Sequence, residues 1–137
     1  DYYRRVVAPL VDGKQVVYAG EVDLARKVSL LGGARALLYP VQSSEPFGLV
    51  MAEAMAFGTP VAAPGKGAAV ELVDDGVTGE IFDSLDALVD GLPRVLALDR
   101  SDVRSRAVER FGPDRMVAAH VEVYVRSPYL APPTPGA

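Results

Sequence analysis

The chain has 137 residues, 50% hydrophobic and 23% charged, with 18 acids, 14 bases, one histidine and no cysteine. This is the composition of one ordinary globular domain, and it excludes a disulfide scaffold, a thiolate metal site and a His-rich metal centre. No run of 18 apolar residues exists to span a bilayer, and Asp1-Tyr2-Tyr3-Arg4-Arg5 lacks the pattern of a secretory signal, so a cytoplasmic location is the expectation.

In chain order, Val16-Val17-Tyr18-Ala19, closed by Gly20, predicts a first buried strand. Residues 21–31 predict a helix, with Val22, Ala25, Val28 and Leu31 at three-residue steps and Gly32-Gly33 as a stop. Ala36-Leu37-Leu38-Tyr39, closed by Pro40, predicts a second buried strand, and residues 49–57, rich in Leu, Met, Ala and Glu, a helix. Pro60-Val61-Ala62-Ala63 is the third strand, and Glu80-Ile81-Phe82, after the turn Gly76-Val77-Thr78-Gly79, the fourth. Residues 85–98 place Leu85, Leu88, Val89, Leu92, Val95 and Leu96 on one helical face, and 101–111 open with Ser101 as candidate N-cap. A last helix runs from about Pro113 to Arg126. Residues 1–126 thus form the folded part, and 127–137, with four prolines, read as a tail.

Strands alternating with helices imply a parallel sheet with right-handed crossovers, an α/β fold. In such sheets ligands sit beyond the carboxyl ends of the strands, where loops lead into helices. Charge is uneven. Residues 1–42 carry six bases and four acids, 43–93 one base (Lys66) and nine acids, and 94–126 seven bases and five acids. A nucleic-acid backbone needs clustered cations, so no nucleic-acid partner is expected.

The chemistry concentrates in Pro40 to Pro60. Between strand and helix lies Ser43-Ser44-Glu45-Pro46-Phe47-Gly48-Leu49, with the helix predicted to start near Pro46 to Gly48. Free amides of Phe47, Gly48 and Leu49 would then point out of a positive helix end, and glycine would admit a ligand to the backbone. Glu45 precedes this end and Glu53 lies about two turns inside. Carboxylates accept hydrogen bonds from vicinal hydroxyls, so the pair suits a phosphate group flanked by hydroxylated rings, the shape of a nucleotide sugar. An equally simple reading makes Glu45 a helix cap and Glu53 a solvated side chain.

Glu-x7-Glu with Phe-Gly after the first Glu, then Glu53-Ala54-Met55-Ala56-x-Gly58-Thr59-Pro60-Val61, resembles the donor-site motif of family 4 type retaining glycosyltransferases, which have the GT-B fold. The resemblance runs on through Glu71-Leu72-Val73-Asp74-Asp75-Gly76-Val77-Thr78-Gly79 and covers most of residues 15–126. It implies that Glu45, the candidate catalytic residue, contacts hydroxyls of the donor sugar. It further implies that Glu53 takes the ribose hydroxyls, and that the Phe47, Gly48 and Leu49 amides take the sugar and diphosphate. Gly20-Glu21-Val22-Asp23 is similar to the family's loop beside the nucleotide base, which makes Val22 and Asp23 further binding candidates. No metal or other cofactor is expected, because the family uses none.

The family's strand ending in Gly-Arg and its following Lys have no match here, since Tyr2 to Leu10 looks like the helix before the third strand. The resemblance therefore implies a partial Rossmann-like domain that works with an acceptor-binding domain of the same enzyme, inactive alone. In the family's strand order, Val16–Ala19 and Ala36–Tyr39 are separated by two strands, so self-association through an incomplete sheet is a further expectation. A noncatalytic binding or assembly module, or a nucleotide-sugar epimerase of the same fold, are the alternatives. Lys66, between Gly65 and Gly67, reads as solvated or as a phosphate contact; Glu71 as a cap; and His120, spaced with Met116 and Tyr124, as structural.

Overall fold

A computed structural model describes residues 1–127, so the proline-rich segment beyond Ser127 lies outside the described residues. The chain divides into two compact units, Asp1–Leu30 and the residues from Leu31 onward. Among the described residues, no helix is long and apolar enough to cross a membrane.

In the first unit a π-helical turn, Tyr3–Val7, passes into a short 3-10 helix, Ala8–Leu10. The expected strand at Val16–Ala19 does not form. The cause is local: Asp12 Oδ1 accepts from the amides of Lys14, Gln15 and Val16 at 2.8, 2.8 and 2.9 Å, and the Val16 carbonyl accepts from Gly13 at 3.0 Å. These hydrogen bonds fold the start of the run into a turn and occupy groups a ladder would need. Val16, Val17 and Tyr18 stay exposed, with the Tyr18 ring 5.9 Å from that of Tyr3.

Helix α1 spans Leu24–Gly33, starting three residues later than the periodicity suggests. Asp23 sets that start, since its Oδ1 accepts from the Arg26 amide at 2.8 Å. Of the expected apolar stripe only Leu31 is buried.

The second unit is built on a parallel sheet of three strands in the order β1-β2-β3. These are β1, Leu37–Leu38; β2, Val61–Pro64; and β3, Gly79–Phe82. Helices α2 (Leu49–Ala56), α3 (Ala69–Leu72), α4 (Leu85–Leu96), α5 (Arg100–Phe111) and α6 (Pro113–Arg126) complete the order. Every residue of β2 is buried, as a central parallel strand requires. Its alternation sorts the core into two layers. Val61 and Ala63 join Met51, Met55, Leu72 and Val103 beneath α2, α3 and α5, while Ala62 joins Phe82, Leu88 and Val95 beneath α4.

Several expectations need correction. The second strand is only two residues long and Leu38 is exposed, because β1 forms an edge of the sheet with β2 on one side. In α4, Leu88 and Val95 are buried but Leu85 and Val89 are exposed, since the helix covers a sheet too narrow to hide its whole apolar face. The α5 cap is Asp99 rather than Ser101: its Oδ1 accepts from Ser101 and Asp102 at 2.7 and 3.2 Å. Glu71 is exposed and caps nothing, as α3 shows no side-chain cap.

Side chains also close the C-terminal end of α1. Thr59 Oγ1 donates to the Leu31 carbonyl at 2.5 Å, and Arg100 donates to the Gly32 carbonyl at 2.8 Å and to that of Ala34. Two of the orphan carbonyls at that helix end are thereby satisfied.

Candidate functional site

The loops after β1, β2 and β3 all leave the sheet from the carboxyl ends of parallel strands. The first holds the motif. Tyr39 donates to the Ala62 carbonyl at 2.9 Å, the chain then runs as loop from Pro40, and α2 begins at Leu49. This start is later than the Pro46 to Gly48 expected, and the reason is Gly48. At φ 76° and ψ 59° it is left-handed, so it cannot be a helical residue and instead turns the chain into α2. Glu53 accordingly lies one turn inside the helix, not two.

The backbone groups at this end follow from that turn. Met51 donates to the Gly48 carbonyl at 2.9 Å, no side chain caps the end, and the amides of Leu49 and Val50 have no acceptor within the helix. Phe47 and Gly48 present their amides from the loop. A Cβ at Gly48 would press on the movable Met51 methyl, so it is the positive φ rather than lack of space that favours glycine here.

Glu45 is exposed, and its backbone is held: its carbonyl accepts from the Ala68 amide, in the loop after β2, at 3.0 Å. Gly67, at φ 54°, permits this approach, because a Cβ there would sit 2.7 Å from the Glu45 nitrogen. The loops after β1 and β2 are thus joined directly behind Glu45. They are joined again where Lys66 Nζ donates to Gln42 Oε1 at 3.1 Å. Sequence reasoning singled out Lys66 but not Gln42 or Tyr39; the polar run after Pro40 was the available signal.

Glu53 is partly buried and lines a groove of about 300 Å³ with Ala52, Ala56, Val108, Phe111 and Pro113. The Phe47 side chain, 44% exposed, lines a neighbouring groove of about 290 Å³ with Arg110, Arg115, Met116 and His120. Glu45, Phe47, Gly48 and Leu49 thus fall in the segment that leads into α2 and Glu53 one turn along it, with Phe47 and Glu53 lining separate grooves. Val22 and Asp23 belong to the first unit, ahead of α1, where Asp23 serves as the helix cap. His120 contacts the carbonyl of Met116 through Nδ1 at 2.8 Å, a contact within its own helix.

A single carboxylate anchors α5 within this unit. Asp74 accepts from Arg106 Nε and Arg110 Nη1, each at 2.5 Å, while Arg110 also donates to the Leu72 and Glu71 carbonyls at 2.9 and 2.5 Å. This ties α5 to the end of α3 and to the start of the Asp74–Gly79 turn.

Comparison with known proteins gives this arrangement a lineage. The family model described as "Glycosyl transferases group 1" matches residues 10–110. The chain is 41% identical over 91 residues to a D-inositol 3-phosphate glycosyltransferase of Xylanimonas cellulosilytica, covering 61% of this chain and 22% of that protein. It is 37% identical over 92 residues to a phosphatidyl-myo-inositol mannosyltransferase of Mycobacterium leprae, covering 66% of this chain and 24% of that protein. The chain therefore spans about a quarter or less of the length of these relatives.

Among solved structures, Anabaena HepE in complex with UDP and glucose superposes with a TM-score of 0.67 at 24% identity, over 83% of this chain and 33% of that one. Its complex with UDP-glucose superposes at 0.62 with 23% identity, over 80% and 32%. At such identity the likeness shows the fold, a Rossmann-like α/β arrangement of the GT-B kind. Since the family match takes in both parallel crossovers and the whole Glu45 to Pro60 segment, this chain belongs to the group 1 glycosyl transferases.

Proposed function

We propose that the chain is the donor-binding part of a retaining glycosyltransferase of the family 4 type, moving a hexosyl group from a nucleotide diphosphate to an acceptor hydroxyl. The observation that supports it best is the uncapped α2 start at the left-handed Gly48, with Glu45 before it and Glu53 after it along the chain. In this reading Glu53 accepts from the ribose hydroxyls, and the Phe47, Gly48 and Leu49 amides donate to the sugar and diphosphate. Val22 and Asp23 lie beside the base. Glu45 accepts from the sugar hydroxyls and steadies positive charge developing at the anomeric carbon.

The bond from that carbon to the diphosphate oxygen breaks as the bond to the acceptor oxygen forms on the same face. The acceptor proton passes to the departing phosphate oxygen, and no step is routed through a metal. The acceptor-binding domain and the Arg and Lys of the family's Gly-Arg strand, which neutralise the leaving diphosphate, belong, in this proposal, to other parts of a cytoplasmic enzyme, so the chain alone turns nothing over. The open edge at β1 is the proposed site of any self-association. The donor named in the HepE complexes, UDP-glucose, and the inositol and mannosyl acceptors and donors in the relatives' names set the first compounds to try.

The test is calorimetric titration of the chain with UDP and UDP-glucose. Glu53→Gln, which keeps the side-chain shape, is expected to weaken UDP by about tenfold, the loss of a charge-assisted hydrogen bond. Glu45→Gln is expected to spare UDP and remove the advantage of UDP-glucose over it. UDP affinity unchanged in Glu53→Gln sinks the ribose assignment, and sugar release from UDP-glucose to water or a polyol by the chain alone sinks its inactivity.

A further inference from the structure

The binding scheme above gives Lys66 no task. Lys66 is the sole base among residues 43–93, which hold nine acids, yet among the described residues its ammonium meets the Gln42 amide oxygen and no carboxylate. An ammonium has three N–H donors, so two remain after the bond to Gln42. An ammonium whose partner is a neutral amide keeps its unit charge for an anion.

Its position is fixed from three directions. The Lys66 amide donates to the Pro64 carbonyl at 2.8 Å, and its carbonyl accepts from Ala69 at 3.3 Å, so the backbone is set by the end of β2 and the start of α3. Two residues on, Ala68 bonds the Glu45 carbonyl at 3.0 Å, which holds this loop against the motif loop. Gln42, in the loop after β1, then restrains the ammonium itself at 3.1 Å. That contact narrows the set of rotamers the lysine samples before it meets a ligand. A lysine in a glycine-rich loop needs no such partner if its role is only to be solvated.

We infer that Lys66, positioned by Gln42, is a specificity residue that takes a phosphoryl oxyanion at the mouth of the β1 and β2 loops. The inference rests on the proposed function for the site's location and extends it by assigning a side-chain cation where only backbone donors stood. Two sources share this chemistry: the diphosphate of the nucleotide donor, and a phosphate carried by the acceptor.

The experiment compares the chain with Lys66→Met, which keeps the apolar stem and removes the charge, with Lys66→Arg, and with Gln42→Ala. Each is titrated with UDP against uridine, and with inositol phosphate against inositol. Lys66 is exposed, and matching thermal melts establish that each variant is folded. We expect Lys66→Met to lose about tenfold in affinity for one phosphorylated probe while its neutral counterpart is unaffected. Lys66→Arg should recover most of the loss and Gln42→Ala should show part of it. A loss confined to UDP places the donor diphosphate at Lys66, and a loss confined to inositol phosphate places an acceptor phosphate there. Affinities for both probes within about twofold of the unaltered chain overturn the inference. An unaltered chain that binds inositol phosphate through Lys66 but not UDP overturns the nucleotide-sugar reading alone, and one that binds neither probe overturns both.

Discussion

The Ala68 amide and the Glu45 carbonyl oxygen, 23 positions apart in sequence, meet at 3.0 Å and tie the motif loop to the loop after β2. The contact exists because Gly67 takes a positive φ and brings its Cα against the Glu45 backbone. Gly67→Ala is expected to destabilise the fold by about 1–3 kcal/mol, through left-handed strain and the clash with Glu45. Because Glu45 shifts while Glu53 does not, UDP-glucose should weaken more than UDP. Urea unfolding and parallel titrations check both parts.

Asp74 holds two guanidinium groups with one carboxylate, and both it and Arg110 are mostly shielded from water. Asp74→Asn removes the charge that both arginines face and leaves their hydrogen bonds half-satisfied. The expected cost is about 2 kcal/mol, seen as a lower urea midpoint with an unchanged slope. A midpoint within experimental error of the unaltered chain would falsify the anchoring role.

Acid should loosen the first unit before it touches the sheet. The amide of Val16, then those of Lys14 and Gln15, hold the Asp12 carboxyl below its ordinary value. A lowered folded-state value means that the unfolded chain binds the proton more readily. The turn's stabilisation is therefore complete above the ordinary aspartate range, about pH 4, and is lost as pH falls through the lowered value. Amide protection factors at residues 14–16, measured by NMR exchange and corrected for the intrinsic rate at each pH, should fall there, and Asp12→Ala should show the low protection already at neutral pH.

What could be read from sequence follows from how local each cause is. β2 and β3 were legible because short apolar runs after Gly-Thr-Pro and after a glycine turn leave few options, and α6 because Pro113 fits a first helical turn. Val16–Ala19 has the same apolar signature as β2, but a strand is completed by its neighbour, and Asp12 takes the first amide of the run, that of Val16. Asp99 and Ser101 are both good caps two residues apart, and periodicity does not choose between them. At the site, the residues around Gly48 were found by motif, yet the helix start was misplaced because proline at position 46 suggested a first turn that the left-handed glycine forbids. Contacts such as Lys66 to Gln42 join separate crossovers, and no spacing rule encodes them.

The two ends of the second unit's burial scale also set how it opens. α6 contributes no buried residue over its 14 positions, whereas β2 is buried at every one. Helix α6 can therefore fray and re-form in fluctuations that cost little, while the β2 amides become reachable only when the whole unit comes apart. The loops that carry Glu45 and Lys66 spring from the strands of that slow-opening centre, so the site is hinged on the part of the unit that breathes least.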